Sequence, residues 1–291
     1  KFISITFLLL ITFGMIGCGK NQVLKKENVN ETNQEQATEN KETTEEQQEN
    51  TNNNTEEQSQ SQIDYINIAP EEVKIPILMY HSISDEDPSN NLLVPPAMFE
   101  EQMAWLEANN FTAMNMDEAL EAMRTGKVPK RPVVITFDDG YANNYTSAFP
   151  SLKNHKLKAT FFVITDGVDN GYYMSSDNLK EMQEAGMSIE NHTANHLELN
   201  NLSKTDAYES IKRAQDYLRN VIGSDGNYLC YPVGKYNDET IQIEEELGIK
   251  AAVTTQGGFA SINDGLHTLK RVRISPMSIE GFASIFSEYI N

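Results

Sequence analysis

The stretch VVITFDDGY (residues 133–141) is an apolar run that ends in two adjacent carboxylates, Asp138 and Asp139, and then a glycine. A continuous apolar run is typical of a strand that is covered on both faces, as in a parallel sheet. Successive side chains of a strand point to opposite faces, so the two acids cannot share one buried side there. Nearby like charges also resist joint burial. Packing therefore does not explain the acid pair, and its position at the strand end indicates a functional role.

The same pattern recurs on both sides of this stretch. Strands are predicted at 75–80, 133–137, 159–164, 187–191, 227–232, 251–255 and 272–275, and helices at 96–110, 143–155, 175–186, 204–221, 238–248 and 278–289. Continuous apolar strands that alternate with helices predict an α/β domain with a parallel sheet. Seven or eight such units over about 220 residues favour a barrel over an open doubly wound sheet, although periodicity alone leaves the closure open.

Two segments of different composition precede this domain. Residues 2–17 are an apolar run, and the MIGC sequence (15–18) at its end resembles the cleavage site of a bacterial lipoprotein. We predict a signal peptide over 1–17 and lipidation of Cys18; the alternative is an uncleaved N-terminal anchor, although the run is short for a membrane span. Residues 18–65, rich in Asn, Gln, Glu and Thr, are predicted to be a disordered tether, because they have too few apolar side chains to form a core. The folded domain is then 66–291, outside the cytoplasm on either interpretation.

Charge and cysteine content exclude two classes of protein. The net charge is −20, and residues 19–70 contribute only 11 acids against 4 lysines, so the folded domain is itself acidic. Nucleic acid is excluded as a partner, because phosphate binding needs a basic face. The chain has two cysteines, and with Cys18 assigned to a lipid, Cys230 has no partner for a disulfide. The domain must therefore be stabilised by its core.

Functional side chains of parallel α/β folds lie at the carboxyl ends of the strands. Those ends hold His81 after the first predicted strand, Asp138 and Asp139 after the second, and His192 and His196, in HTANH (192–196), after the fourth. Two histidines at i and i+4 are predicted to share one side of a helical turn. Two imidazoles and one carboxylate suit a divalent metal with open coordination positions.

A metal would also account for the acid pair. Asp139 would turn to the metal, while Asp138 would face the water that the metal acidifies and act as general base. Each motif alone has a simpler explanation, since adjacent Asp residues before Gly are common in turns and HxxxH occurs on the surface of ordinary helices. Their joint position at strand ends favours a metal site.

TFDDGY (136–141) and HTANH (192–196) resemble the first two motifs of the polysaccharide deacetylases of carbohydrate esterase family 4, and the resemblance extends over residues 74–275. It implies a distorted (β/α)7–8 barrel with parallel strands that removes N- or O-acetyl groups from sugar polymers with a divalent metal. That metal is usually Zn²⁺, with Co²⁺, Ni²⁺ or Fe²⁺ as alternatives. By the same resemblance Asp138 is the base, and Asp139, His192 and His196 are the metal ligands.

The third motif departs from the family pattern. It usually reads like RPPYG, whereas LCYPVG (229–234) has Cys230 at the arginine position and Val233 at the tyrosine position. The backbone N–H that follows Pro232 can still serve an oxyanion, because that role needs no particular side chain. The residues assigned to substrate binding are Tyr141, Tyr231, Pro232, Val233 and Gly234.

The family's late Leu-x-His motif, which supplies the general acid, is absent. In the subgroup that acts on poly-N-acetylglucosamine the acid comes from a Tyr-His pair on the first strand, and ILMYHSI (77–83) resembles that segment. His81 would then protonate the leaving amine; the alternative is a histidine that only closes a strand through a hydrogen bond. Arg271, in KRVRI, resembles an arginine of the same subgroup and is expected to hold Asp138 in place.

These observations predict a metal-dependent deacetylase of N-acetylglucosamine polymers, monomeric and anchored through Cys18 at the extracellular face of a Gram-positive-type cell membrane. Peptidoglycan and exopolysaccharide both remain open as the substrate. A cell-wall lipoprotein that binds glycan without hydrolysing it is the alternative from another class, and it is disfavoured because base, ligands and acid are all present. A metal amidase for a small cyclic amide is disfavoured by the tether.

Overall fold

The computed structural model describes residues 63–290. The predicted signal peptide, Cys18 and nearly all of the predicted tether lie outside the described residues. The strands are β1 (Tyr65–Asn67), β2 (Ile77–Tyr80), β3 (Ser82–Ile83), β4 (Leu93–Val94), β5 (Thr112–Met114), β6 (Lys127–Pro129), β7 (Pro132–Phe137), β8 (Thr160–Val163), β9 (Ser188–Asn191), β10 (Tyr228–Cys230), β11 (Ala251–Gly257) and β12 (Leu269–Arg273). The helices are α1 (Pro96–Ala108), α2 (Met116–Thr125), α3 (Phe149–Asn154), α4 (Ser176–Glu184), α5 (Lys204–Ile222), α6 (Asp238–Leu247), α7 (Ile279–Ile285) and α8 (Ser287–Ile290). Across this part of the chain no helix combines the length and the apolar character needed to cross a membrane.

Seven strands form a closed parallel barrel. They pair in the order β2, β12, β11, β10, β9, β8, β7, and β7 returns to β2 with Ile77 opposite Val134 and Tyr80 opposite Phe137. The predicted (β/α) barrel is thereby confirmed, and the closure that periodicity left open is present. β5 pairs with the first half of β7, whereas β1–β6 and β3–β4 form two small separate sheets.

Strand alternation decides which side chains reach the barrel interior. One buried apolar cluster takes side chains from six of the seven barrel strands, among them Val134 of β7 and Leu269 of β12. Side chains two positions apart on a strand share a face. Asp138 lies four residues after Val134, and Arg271 lies two residues after Leu269. Each is therefore on the same face as an interior residue of its own strand. The alternation therefore brings these two charged side chains into the barrel at its carboxyl end.

The outward side of the strands packs against the helices. Phe137 and Phe161 stack nearly parallel with ring centroids 4.6 Å apart, and Tyr80 stacks on Phe137 at 5.4 Å. Phe99 of α1 meets the Tyr80 ring edge-on at 5.3 Å. Because full burial of one large apolar side chain stabilises a fold by about 1.5–3 kcal/mol, this stack contributes strongly to holding β2, β7 and β8 in register.

Three elements of the fold, β5, α2 and the β1–β6 pair, are absent from the elements predicted above. β5 has three residues, too few for a periodic signal, but α2 carries recognisable end signals. Asn115 and Glu118 form a reciprocal capping box at its start, and Gly126 ends it in the left-handed conformation. β1 begins at Tyr65, which the sequence analysis assigns to the end of the tether.

Candidate active site

Asp138 follows β7, is almost fully buried, and is paired with Arg271 of β12. Nη1 and Nη2 of Arg271 donate to Oδ1 and Oδ2 of Asp138 at 2.8 Å each, which makes a bidentate pair. Burial alone would raise the pKa of Asp138, but the charge and the hydrogen bonds of Arg271 hold that pKa well below its usual range. Asp138 is therefore ionised at every physiological pH and is able to accept a proton.

The other contacts of Arg271 fix the guanidinium in the barrel. Nε donates to the Thr254 carbonyl at 2.9 Å and Nη1 to the Thr136 hydroxyl at 3.1 Å, while Nη2 lies 3.3 Å from Cys230 Sγ. Burial raises the pKa of the Cys230 thiol, so the sulfur meets the guanidinium as a neutral group. At the β10 position where the family pattern has an arginine, the small Cys230 side chain leaves room for the guanidinium that arrives from β12.

Asp139 leaves the strand geometry altogether. β7 ends at Phe137, and Asp139 adopts a left-handed φ of 72°. The alternation that directs Asp138 into the barrel therefore does not extend to Asp139, and both carboxylates reach the same pocket. Gly140 follows at φ 81°, and a Cβ there would lie 2.9 Å from Val163 Cγ1, so this turn requires a glycine.

The HTANH segment follows β9 and is a loop, which corrects the predicted helical turn. Thr193 and His196 have left-handed φ values of 64° and 56°. Asn191 fixes the start of the loop, since its Oδ1 accepts from the Thr193 N–H at 2.7 Å and its Nδ2 donates to the Ile211 carbonyl of α5 at 3.0 Å. Two histidines at i and i+4 therefore face the same point through a kinked loop and not through a helix.

Asp139, His192 and His196 form a compact donor set, with one ligand atom from each within 4.8 Å of the others. His192 Nε2 lies 3.2 Å and His196 Nε2 3.4 Å from Asp139 Oδ1. His192 Nδ1 is 2.8 Å from the Cys230 carbonyl, which can only accept, so this nitrogen carries the hydrogen. Nε2 faces the Asp139 oxygen, and the hydrogen bond to this carboxylate is among the contacts that raise the pKa of His192. The contact therefore needs a positive charge, which is either a second proton on the ring or a bound cation. Two imidazole nitrogens and one carboxylate around the same point fit a divalent metal.

A second set of donor atoms, Asp138, His192 and Cys230, also lies within 4.8 Å. It fits a metal less well, because both Asp138 oxygens already accept from Arg271. The Cys230 thiol is protonated, whereas a metal takes the thiolate. The Asp139 set is therefore the better candidate.

His81 follows β2, next to β7 in the barrel, and its Nε2 lies 3.8 Å from Asp138 Oδ2. The segment after the acid pair positions it, since Asn144 Nδ2 donates to the His81 carbonyl at 2.7 Å. Asn144 begins a π-type helical turn over 144–148, a geometry that is frequent at functional sites. Burial lowers the pKa of His81, against the opposing charges of Asp138 and Asp139. The lowered pKa favours the neutral ring, so the predicted acid would have to take up a proton before it could donate one.

The turn after β10 supplies the other predicted contacts. Val233 is 52% exposed and has a φ of 49°, an outlier for a β-branched residue. The Gly234 and Lys235 N–H groups donate to the carbonyls of Tyr231 and Pro232, and neither bond uses the Val233 N–H. Strained backbone of this kind concentrates at functional sites, which agrees with the oxyanion role expected of the N–H after Pro232.

One cavity of about 200 Å³ collects most of the predicted site residues. It is lined by His81, Asp138, Asp139, His192, His196, Tyr231 and Val233, together with Leu92, Thr255 and Arg273, which the sequence analysis missed. Arg271 lies behind Asp138, Pro232 and Gly234 flank Val233, and Cys18 lies outside the described residues. Thr255 ends the predicted strand 251–255, so the strand-end rule could have found it. Arg273 ends the observed strand β12 but lies inside the predicted strand 272–275, so the rule pointed past it. Leu92 precedes the two-residue strand β4, which gives no such signal.

A closed parallel barrel with an ionised carboxylate beside an acid–histidine donor set is suited to hydrolysis assisted by a metal. Residues 125–252 match the family model described as polysaccharide deacetylase. The Bacillus subtilis (strain 168) protein YxkH, whose name places it among the polysaccharide deacetylases, is 40% identical over 218 residues, which cover 75% of this chain and 76% of that one. The chain belongs to the polysaccharide deacetylase family, as the resemblance of its two motifs predicted.

Two further proteins are similar to the chain. The structure of the Streptococcus pyogenes deacetylase PplD in complex with acetate superposes with a TM-score of 0.71 at 36% identity, over 74% of this chain and 99% of that one. A poly-β-1,6-N-acetyl-D-glucosamine N-deacetylase of Staphylococcus epidermidis is 28% identical over 230 residues, or 70% of this chain and 80% of the relative. The predicted class of enzyme, a deacetylase, is confirmed.

Proposed function

We propose that this chain hydrolyses the acetamido groups of an N-acetylglucosamine polymer with the help of a divalent metal. The name of the Staphylococcus epidermidis relative supports the choice of polymer. The observation that carries the proposal is the adjacent placement of two carboxylates with different partners. Asp138 is held ionised by Arg271, and Asp139 faces two histidine nitrogens.

Asp139, His192 and His196 would hold the metal. When bound there, a divalent cation polarises the acetyl carbonyl and lowers the pKa of water. The donor types, two imidazoles and one carboxylate, are those of catalytic Zn²⁺ sites, which supports Zn²⁺ over the other divalent ions. The His192 hydrogen bond to the Cys230 carbonyl fixes the ring tautomer that such a site needs.

Two side chains of this pocket carry out the proton transfers, Asp138 as the base and His81 as the acid. Asp138 removes a proton from the attacking water, whose oxygen forms a bond to the acetyl carbon. The Val233 N–H is placed to stabilise the negative charge that develops on the carbonyl oxygen. Asp138 then passes the proton of the water to the neutral ring of His81, whose Nε2 lies 3.8 Å from Asp138 Oδ2. His81 donates the proton to the nitrogen as the carbon–nitrogen bond breaks, which releases acetate and a free amine.

The place of the reaction is part of the proposal. Lipidation of Cys18 and a tether over residues 18–65 would hold the domain at the extracellular face of the membrane, within reach of cell-wall or secreted glycans. The acidic charge of the chain suits an N-acetylated polymer, because that substrate is neutral and is not repelled. The sequence patterns at the N-terminus are the support for this location.

Acetate release tests the proposed function. The full chain, loaded with Zn²⁺, is expected to release acetate from poly-N-acetylglucosamine or from peptidoglycan, to lose this activity with a chelator, and to regain it when Zn²⁺ returns. Comparison of the two glycans identifies the substrate. A metal-loaded chain that binds either glycan but releases no acetate would instead be a binding protein.

His81→Ala tests the general acid. The substitution is expected to lower kcat by about 10²–10⁴-fold, the usual contribution of a positioned proton donor, and to leave the bound metal unchanged, since His81 is outside the donor set. Acetate release and metal content per chain are the two measurements. His155→Ala is the matched control, because His155 lies between Glu100 and Glu107 away from the pocket. A His81 variant with near-normal kcat would contradict the acid role.

A further inference from the structure

Tyr172 is the most exposed large apolar side chain between residues 63 and 290, with 65% of its surface in contact with solvent. It lies in the segment between β8 and α4, which the sequence analysis leaves without a role. Two other exposed apolar side chains, Leu197 and Val233, adjoin the catalytic pocket, the first directly after His196. An exposed apolar rim around an active site is typical of a binding surface.

The backbone holds Tyr172 firmly against the catalytic motif. The Tyr172 carbonyl accepts from the Ala142 N–H at 3.1 Å, and the Met174 N–H donates to the Gly140 carbonyl at 2.9 Å. Asn170 Oδ1 accepts from the N–H of Tyr172 at 2.8 Å, which fixes the turn from within. The tip of this segment is therefore tied directly to the residues that follow Asp138 and Asp139.

Three tyrosine rings form a connected array beside Asp139. The ring of Tyr141 stacks on Tyr173 at 5.6 Å and meets the ring of Tyr172 edge-on at 5.5 Å. The Tyr141 hydroxyl is hydrogen-bonded to the Asp139 carboxylate, so this ring reaches the donor set directly. One aromatic ring therefore separates Tyr172 from the carboxylate at the reacting centre.

Tyr173 contacts the rings of both Tyr141 and Tyr172. It is half-buried, and a Cβ at Gly167 would lie 2.5 Å from its ring, so the chain leaves out a side chain at residue 167 to seat this ring. Tyr172 is pre-arranged by its neighbours, while its own ring stays in solvent. An exposed aromatic ring that is already immobile loses little conformational entropy when a ligand covers it.

We propose that Tyr172 is the stacking platform for the sugar ring next to the one that is deacetylated. The proposal rests on the proposed function and adds to it that the site recognises a chain of sugars and not a single acetylated residue. The apolar C–H face of a pyranose in the equatorial chair of N-acetylglucosamine matches the negative face of an aromatic ring. Because the Tyr141 ring lies between Tyr172 and Asp139, Tyr172 is one ring away from the reacting centre. We therefore assign it to the sugar that adjoins the deacetylated sugar in the polymer. Tyr172 is a positioning residue and touches no reacting atom.

Binding and turnover of a β-1,6-linked N-acetylglucosamine pentamer test the proposal. Tyr172→Ala is expected to raise both Kd and KM for the pentamer about tenfold, the usual loss when one aromatic anchor is truncated, with a much smaller change in kcat. Tyr172→Phe should keep wild-type values, because stacking needs the ring and not the hydroxyl. Tyr65→Ala is the matched control, since Tyr65 is 45% exposed on β1, outside the barrel.

Two outcomes would overturn the proposal. One is equal pentamer binding by wild type and Tyr172→Ala, and the other is the same loss with Tyr172→Phe or Tyr65→Ala. Calorimetric binding does not depend on hydrolysis, so the two proposals can fail separately. A wild type that binds the pentamer through Tyr172 but releases no acetate would contradict the proposed function alone. If the first outcome, unchanged glycan binding, is accompanied by a changed oligomeric state in Tyr172→Ala, the ring belongs to a protein interface.

Discussion

Asp138→Asn is expected to lower kcat by about 10²–10⁴-fold, the contribution of a positioned general base. The amide has nearly the shape of the carboxylate and can still accept from Arg271, but it cannot take a proton. The substitution also leaves the guanidinium of Arg271, which is 0% exposed, without its counter-charge. Breaking a buried pair in this way costs about 3–5 kcal/mol of unfolding free energy.

The measurements are acetate release, metal content and urea unfolding of the same preparation. Metal content should stay at the wild-type level, because Asp139, His192 and His196 are unchanged. Asp225→Asn is the matched control: it removes a carboxylate from an arginine at 2.7 Å on the surface, where solvent screens the pair. Wild-type activity in a folded, metal-loaded Asp138→Asn chain would exclude Asp138 as the base.

Arg271→Met is expected to destabilise the protein by about 3–5 kcal/mol, because an unpaired carboxylate then remains in the barrel. In wild type the depressed pKa of Asp138 adds stability that is present above the unfolded-state pKa of about 3.9 and is lost as the pH falls through the lower folded-state value. Without Arg271 that contribution disappears. Burial is then no longer opposed, so the pKa of Asp138 rises.

The pH profile of kcat/KM separates this role from a general loss of stability. The base must be ionised, so the acid limb of the profile should move to higher pH in Arg271→Met. Arg271→Lys is expected to restore only part of the shift, because an ammonium cannot make the bidentate pair. The surface substitution Arg219→Met serves as the control. An acid limb that stays at the wild-type pH would show that Arg271 does not control the protonation of Asp138.

The sequence predicts the barrel and the members of the candidate site better than it predicts their geometry. Apolar runs mark buried strands, and a charge at the end of such a run is conspicuous, which is how Asp138 and His81 were found. HTANH misled the prediction, because i, i+4 spacing is compatible with a helical turn and also with the kinked loop that Thr193 and His196 adopt. Only the contact inside the barrel between Cys230 of β10 and Arg271 of β12 explains why Cys230 can replace an arginine.

Tyr172 shows a different limit of the sequence analysis. It lies in an irregular segment without hydrophobic periodicity. No sequence feature distinguishes it from the adjacent Tyr173. The distinction between the seated ring and the exposed ring depends on contacts with Gly167 and Tyr141. The signal peptide over 1–17 and the lipid on Cys18 are predicted from an apolar run and the MIGC sequence, and the tether over 18–65 is predicted from composition. All three remain predictions.

The barrel closes where β2 meets β12, with Val272 opposite Leu78. The candidate acid His81 therefore follows the first strand of the ring, and Arg271 belongs to the last strand to be synthesised. A nascent chain therefore contains Asp138 and the Asp139, His192 and His196 donor set before it contains the guanidinium that pairs with Asp138. A chain that stopped short of residue 271 would carry both motifs but would leave the Asp138 carboxylate without its counter-charge.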